Sequence, residues 1–114
     1  MIKIYHNPRC SKSRQALELL KSKNIDPEII LYLEKSLSVA EVEGILDLLN
    51  ITARDILRKK ESEFKELGLN NLDLSQEEII KSIVKAPKLL ERPIVINGSK
   101  AAIGRPLENI LEIF

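Results

Sequence analysis

Hydrophobic and polar positions alternate at the start of the chain and then change to a helical spacing. Ile2 and Ile4 alternate with their neighbours over residues 2–5, which predicts a short first strand. From residue 11 to 23 the apolar residues fall on one face, as in an amphipathic helix. The continuous apolar run 29–33 predicts a second strand, buried on both faces. This order indicates a right-handed parallel crossover.

The middle of the chain, at about residues 38–87, is predicted to be helical. Ser38 and Glu41 have the spacing of a capping box, in which each side chain binds the other residue's backbone N–H, and a helical apolar pattern follows. Ser75 and Glu78 repeat this spacing before another helix. Shorter helical stretches lie between these two segments.

The end of the chain predicts a β-hairpin and a last helix. Residues 94–96 and 100–103 are the strands, and Asn97-Gly98 suits a type I′ turn, whose central residues both need a positive φ. Apolar residues in 107–114 then follow the spacing i, i+3, i+4, i+7 of an amphipathic α-helix. They are Leu107, Ile110, Leu111 and Phe114.

Together these elements predict an α/β fold of the thioredoxin-like type. We expect a four-stranded mixed sheet, in the order β-α-β, helical insertion, β-β-α, with helices on both faces. Neither an internal repeat nor a linker-like composition divides the chain. We therefore expect a single domain over residues 1–114, with the helical insertion at about 38–87.

Composition and charge exclude several classes of function. A chain of 114 residues with 44% hydrophobic content can form a packed core, which argues against disorder. Eighteen Lys and Arg against seventeen Asp and Glu leave a net charge of +1, without the basic excess of a nucleic-acid or polybasic membrane binder. No segment resembles a signal peptide or a membrane span. We expect a cytoplasmic monomer with neither nucleic acid nor membrane as partner.

The single cysteine is the strongest candidate for chemistry. Cys10 lies between the first strand and the first helix, where backbone N–H groups and the helix dipole favour a thiolate. Arg9 and Arg14 add positive charge, and His6 lies four residues upstream. A lone cysteine is usually a buried structural residue. However, residues 7–14 are polar apart from Cys10 and Pro8, which favours a reactive thiol.

Other interpretations of this segment have less support. His6 is equally consistent with a hydrogen-bonding residue at a strand end and with a group that tunes the thiol. Cys10 and His6 are too few to hold a metal, so we expect none. The tyrosine-phosphatase loop requires an arginine where Ala16 stands. Because Ser13 takes the place of a second cysteine, the thiol cannot resolve its own mixed disulfide.

Arginines elsewhere in the chain are candidates for binding an oxyanion. Arg92 precedes Pro93, and in a thioredoxin-like sheet this X-Pro bond is commonly cis and faces the active cysteine. Arg58 and Arg105 could reach the same place, and a planar guanidinium matches a tetrahedral oxyanion. Spacing alone does not show that the three converge. The ordinary alternatives are solvated arginines and a strand-start proline.

Residues 5–14 resemble the active-site segment of the glutaredoxin-coupled arsenate reductases, in which His-Asn-Pro-x-Cys is followed by Ser and Arg. The likeness continues in order through residues 30–34, 57–59, 91–95 and 104–106. It therefore covers essentially the whole chain. Ser11-Lys12 replaces the Gly-Thr of the plasmid-encoded resistance enzymes, so the chain looks more like a chromosomal branch of this family.

The resemblance implies a role for each matching residue. Cys10 corresponds to the catalytic cysteine and His6 to the histidine that tunes it, while Ser13 and Arg14 match the end of the motif. The family's oxyanion-binding arginines correspond to Arg58, Arg92 and Arg105. In the implied mechanism Cys10 attacks arsenate, glutathione displaces the product, and glutaredoxin reduces the resulting mixed disulfide. No bound cofactor is implied.

Two other functions remain open at this point. Spx-type regulators share the fold and bind RNA polymerase, but they commonly carry a Cys-x-x-Cys switch, so Ser13 and the match at Arg58 count against them. Monothiol glutaredoxins that hold an iron–sulfur cluster with glutathione carry Cys-Gly-Phe-Ser at the site. They differ from Cys10-Ser11-Lys12-Ser13 and lack the helical insertion.

Overall fold

The computed structural model describes residues 2–114, which divide into two compact units. Residues 2–35 and 92–114 form the first unit, and residues 36–91 form the second. The expectation of one domain stays a prediction. None of the helices in residues 2–114 has the length and apolar character needed to cross a membrane.

The first unit contains a four-stranded mixed sheet, which confirms the predicted fold class. Its strands are β1 (Ile2–Tyr5), β2 (Glu28–Ile30), β3 (Ile94–Asn97) and β4 (Lys100–Ile103). Their order across the sheet is β2-β1-β3-β4. Strand β1 pairs in parallel with β2 and antiparallel with β3, and β3 pairs antiparallel with β4. The two central strands therefore come from opposite ends of the chain.

Strand β2 differs from its prediction. It has three residues, and of these only Ile30 is buried. Ile29 is 44% exposed and Leu33, beyond the strand, is 40% exposed. The prediction of a strand buried on both faces is therefore wrong. The reason is that β2 lies at the edge of the sheet and the apolar run leaves the sheet after Ile30.

Helix α1 (Ser11–Ser22) and a 3₁₀ helix (Leu107–Ile113) pack against the row of β residues formed by Ile4, Val95 and Ala102. The buried core at this face is entirely aliphatic. It consists of Ile4, Ala16, Leu20, Val95, Ala102, Ile110 and Ile113. This packing fixes α1 and the 3₁₀ helix against one face of the sheet.

The last helix is 3₁₀ instead of α, so the predicted α-helical stripe is wrong. A 3₁₀ helix has three residues per turn, which places residues at i, i+3 and i+6 on one face. Ile110 and Ile113 are accordingly buried, with Leu107 packed beside them. Leu111 and Phe114, which belong to the α-helical spacing, are 42% and 47% exposed.

The predicted hairpin forms, but its turn is shifted by one residue. Asn97 pairs with Lys100 as part of the ladder, so Gly98 and Ser99 are the turn residues. Of these two, only Gly98 has a positive φ, of 61°, which is the pattern of a type II′ turn. The type I′ prediction is therefore wrong. The Asn97 side chain instead donates to the Ile113 carbonyl at 2.6 Å.

The second unit is helical, as predicted. Its helices are α2 (Val39–Leu49), α3 (Ser62–Glu66) and α4 (Gln76–Lys85), with 3₁₀ turns at Arg54–Ile56 and Pro87–Leu89. At the start of α2, the Ser38 hydroxyl accepts a hydrogen bond from the Glu41 N–H at 3.0 Å. At the start of α4, both bonds of the Ser75–Glu78 capping box are present.

Candidate active site at the start of helix α1

Cys10 occupies the N-cap position of α1. A tight turn precedes it, because the Cys10 N–H donates to the Asn7 carbonyl at 3.0 Å and the Asn7 side chain accepts from the Arg9 N–H at 3.1 Å. The Cys10 carbonyl accepts the first helical hydrogen bond, from the Arg14 N–H at 3.0 Å. The sulfur is therefore held at the positive end of the helix dipole.

The surroundings of the sulfur lower the pKa of Cys10. Burial acts to raise this pKa, but the backbone N–H groups of Ser13 and Lys12 and the charge and hydrogen bond of Arg92 outweigh burial. The side chain forms no capping hydrogen bond of full geometry, so the two N–H groups act on the sulfur as nearby dipoles. A lower pKa raises the fraction of thiolate, which is the nucleophilic form.

Arg105 also contacts the sulfur. Its Nη2 lies 3.7 Å from Cys10 Sγ, and its Nε donates to the Arg92 carbonyl at 2.8 Å. One guanidinium thus connects Cys10 to the segment that carries Arg92. The Arg92–Pro93 peptide bond is cis, as the fold type led us to expect. The structure therefore brings Arg92 and Arg105 to Cys10 from residues that are distant in sequence.

Gly104 permits the close packing that precedes Arg105. Its N–H donates to the Pro93 carbonyl at 2.9 Å. A Cβ at this position would stand 2.8 Å from Pro93 Cγ and 2.9 Å from Ile110 Cδ1, so a side chain here would force its neighbours to shift. From the sequence, Gly104 was included only in the matching segment 104–106 and was given no role of its own. Its position just before an arginine of the site was the available signal.

His6 and Ser13 form a buried pair behind the Cys10 turn. His6 Nδ1 and Ser13 Oγ are 2.6 Å apart, and the same Oγ accepts from the Asn7 N–H at 3.0 Å. Both side chains are buried. In the described part of the chain, no hydrogen bond joins either side chain to the sulfur. The pair therefore fixes the turn that presents Cys10.

The pKa of His6 is lowered from its ordinary value. Burial is the main cause, the positive charges of Arg14 and Lys21 add to it, and the hydrogen bond with Ser13 acts in the opposite direction. The lowered pKa favours the neutral imidazole over the charged one. Ser13 connects His6 to Cys10, because its hydroxyl pairs with His6 and its backbone N–H stabilises the thiolate.

Arg14 supports the turn from outside. Its Nη1 donates to the Pro8 carbonyl at 2.8 Å, and its side chain is exposed.

Residues 2–114 contain no cluster of three or more His, Cys, Asp or Glu side chains that could hold a metal ion.

Arg58 belongs to the second unit, where carboxylates surround it. Its Nη1 lies 3.1 Å from Glu91 and its Nε lies 3.9 Å from Glu61. Its backbone N–H donates to the Leu89 carbonyl at 2.7 Å, which anchors it beside the 3₁₀ turn Pro87–Leu89. The convergence of Arg58 with Cys10, Arg92 and Arg105 stays a prediction.

Comparison with known proteins places this arrangement in a family. The family model described as "ArsC family" matches residues 5–113. A protein of Haemophilus influenzae named "Arsenate reductase" is 55% identical over 111 residues, which cover 96% of each chain. The Escherichia coli K12 protein YfgD, described as uncharacterized, is 50% identical over 113 residues, 98% of this chain and 95% of that one.

A solved structure agrees with the sequence comparison. The arsenate reductase from Vibrio cholerae superposes with a TM-score of 0.96 at 44% sequence identity, covering 99% of this chain and 97% of that one. The family match spans nearly the whole chain, and the relatives match over nearly their full lengths. The chain therefore belongs to the ArsC family.

Proposed function

We propose that this chain is an arsenate reductase in which Cys10 is the nucleophile. The observation that carries the proposal is the environment of the sulfur, which lies at the start of α1, contacts Arg105 and has a pKa lowered by Arg92 and backbone N–H groups. The relatives named arsenate reductase supply the substrate class.

The geometry is suited to an attack on a tetrahedral oxyanion. Arg92 and Arg105 present guanidinium groups beside the thiol, and these bind and stabilise the arsenate oxygens while charge redistributes. We further propose that Arg58 joins them as the third arginine, which rests on the family resemblance. Cys10 then forms a sulfur–arsenic bond and water leaves.

Reduction of arsenate to arsenite consumes a pair of thiols. A second thiol forms a disulfide with Cys10 while the sulfur–arsenic bond breaks and arsenic keeps the electron pair. In sum, the Cys10 thiol, an external thiol and arsenic acid give a mixed disulfide, arsenous acid and water. The chain has only one cysteine, so the second thiol is external. We propose glutathione for this role, glutaredoxin as the reductant of the mixed disulfide, no bound cofactor and a cytoplasmic setting.

A coupled assay tests the proposal. Purified protein with glutathione, glutaredoxin, glutathione reductase and NADPH is expected to consume NADPH when arsenate is added. The Cys10→Ser variant and the replacement of arsenate by phosphate are the controls, and neither is expected to consume NADPH. Without glutaredoxin, arsenate is expected to leave glutathione bound to Cys10, visible by mass spectrometry. Absence of an arsenate-dependent rate in the wild type would contradict the assignment.

A further inference from the structure

The cationic side chains near Cys10 fall into sets with different surroundings. Arg92 and Arg105 act directly on the sulfur. Arg14 is exposed, but its guanidinium is engaged by the Pro8 carbonyl. Arg9 and Lys12 form a third set. Neither residue has a role in the reaction proposed above.

Arg9 and Lys12 flank the sulfur in the chain and are both exposed. Arg9 immediately precedes Cys10, and Lys12 lies in the first turn of α1, which contains no acidic residue. None of the ion pairs among residues 2–114 includes either side chain. Two solvent-exposed positive charges therefore stand on residues that lie next to Cys10 in the chain or in the first turn after it.

Such a charge would assist the proposed chemistry when the external thiol is an anion. Arsenate bound at Arg92 and Arg105 is an anion, and the external thiol must approach the same sulfur to complete the reaction. If that thiol also bears carboxylates, the two anions repel each other. Cations that do not contact the arsenate can offset this repulsion and hold the incoming molecule.

We propose that Arg9 and Lys12 form a docking site for the external thiol and that this site selects a small thiol with more carboxylates than ammonium groups. The inference rests on the proposed function and specifies its reductant.

Thiol–disulfide exchange measures this selection without arsenate. The Cys10 thiolate attacks one sulfur of oxidised glutathione, forms a mixed disulfide and releases a glutathione thiolate. The rate is compared with the rates for a neutral disulfide, bis(2-hydroxyethyl) disulfide, and a cationic one, cystamine. Any change in the reactivity of the thiol itself cancels in the ratio of the exchange rates for two disulfides.

The charge-reversed double variant Arg9→Glu, Lys12→Glu is expected to lower the ratio of the glutathione rate to the neutral rate by roughly tenfold, near the low end of electrostatic effects on association. The ratio of the cystamine rate to the neutral rate is expected to rise. High salt reduces both effects, because it screens exposed charges. The neutral variant Arg9→Gln, Lys12→Gln changes the ratios in the same directions by less.

The matched control is Lys23→Glu, Lys100→Glu, which makes the same change in net charge. Lys23 caps the far end of α1, roughly 20 Å from Cys10 at the helical rise per residue, and Lys100 starts β4 at the hairpin. This control is expected to leave the ratios nearly unchanged. The docking site is refuted if the control shifts them equally, or if the Arg9 and Lys12 variants change all three rates by the same factor. Either outcome leaves the arsenate assay unaffected.

Discussion

Helices α1 and α4 begin with opposite chemistry. At α4, Ser75 and Glu78 exchange hydrogen bonds with each other's backbone N–H groups, and Glu77 and Glu78 place negative charge beside the helix dipole. At α1, Cys10 is the N-cap, no capping hydrogen bond forms, and the first turn contains no acidic residue. The first arrangement stabilises the helix.

In the second arrangement, the positive end of the α1 dipole stabilises a thiolate instead. The N–H groups that a capping serine would bind act instead on the Cys10 sulfur, and they help to lower its pKa. Arg92 and Arg105 add positive charge, which an N-cap residue that only stabilises the helix would not need. The difference shows that the same helix-end dipole supports stability in one unit and nucleophilic chemistry in the other.

The largest expected effect comes from Cys10→Ser, which gives α1 the kind of cap that α4 has. Arsenate-dependent NADPH consumption is expected to fall below detection, because the hydroxyl cannot replace the thiol. Serine is a favourable N-cap, so the free energy of unfolding is expected to stay constant or to rise by up to about 1 kcal/mol. Chemical denaturation checks the second part. A large loss of stability would contradict the view that Cys10 serves chemistry.

Gly104→Ala is expected to have the next largest effect. The added methyl group would collide with Pro93 and Ile110, at 2.8 and 2.9 Å. Overpacking of this kind lowers the free energy of unfolding by about 1–3 kcal/mol. We also expect a higher KM for arsenate, because Arg105 follows directly and would move away from the α1 terminus.

Gly44→Ala is the matched control for this substitution. Gly44 lies inside α2, and a Cβ there meets no atom within 4 Å. Alanine is therefore expected to raise the free energy of unfolding by about 0.5–1 kcal/mol and to leave arsenate reduction unchanged. A stable Gly104→Ala protein with wild-type kinetics would show that the close packing at Gly104 does not position Arg105.

Ser75→Ala, at the start of α4, is expected to affect stability alone. Loss of the capping box is expected to lower the free energy of unfolding by about 1 kcal/mol, whereas Ser75→Asp retains most of it. Denaturation curves measure both variants. Arsenate-dependent activity at temperatures where the protein is folded is expected to be unchanged. A loss of activity in both variants would break the distinction between the two helix starts.

Local patterns in the sequence predicted most of the fold. The capping box at Ser75 and the apolar spacing of the helices are encoded within a few residues, so they could be found without a structure. The errors concern features set by distant parts of the chain. Nothing local in the apolar run 29–33 shows that β2 lies at the sheet edge, and the end of the chain can present its apolar residues at either α or 3₁₀ spacing.

The site was predictable to a similar degree. Cys10 was identified from its polar neighbours and its position before a helix. The contact between Cys10 and Arg105 joins residues 95 positions apart, so it follows from sheet order instead of spacing. The hydrogen bond between His6 and Ser13 likewise depends on how the strand turns into α1, which no short-range pattern encodes.

The pH dependence of Cys10 alkylation shows whether the folded environment activates this thiol. Cys10 is the only cysteine, so incorporation of iodoacetamide reports on this thiol alone. Because the folded environment lowers the pKa of Cys10, the thiolate persists to a lower pH in the native protein than in the unfolded chain. We expect a native midpoint below the ordinary thiol value of about 8.5, with the denatured chain near that value. A native midpoint at or above about 8.5 would contradict it.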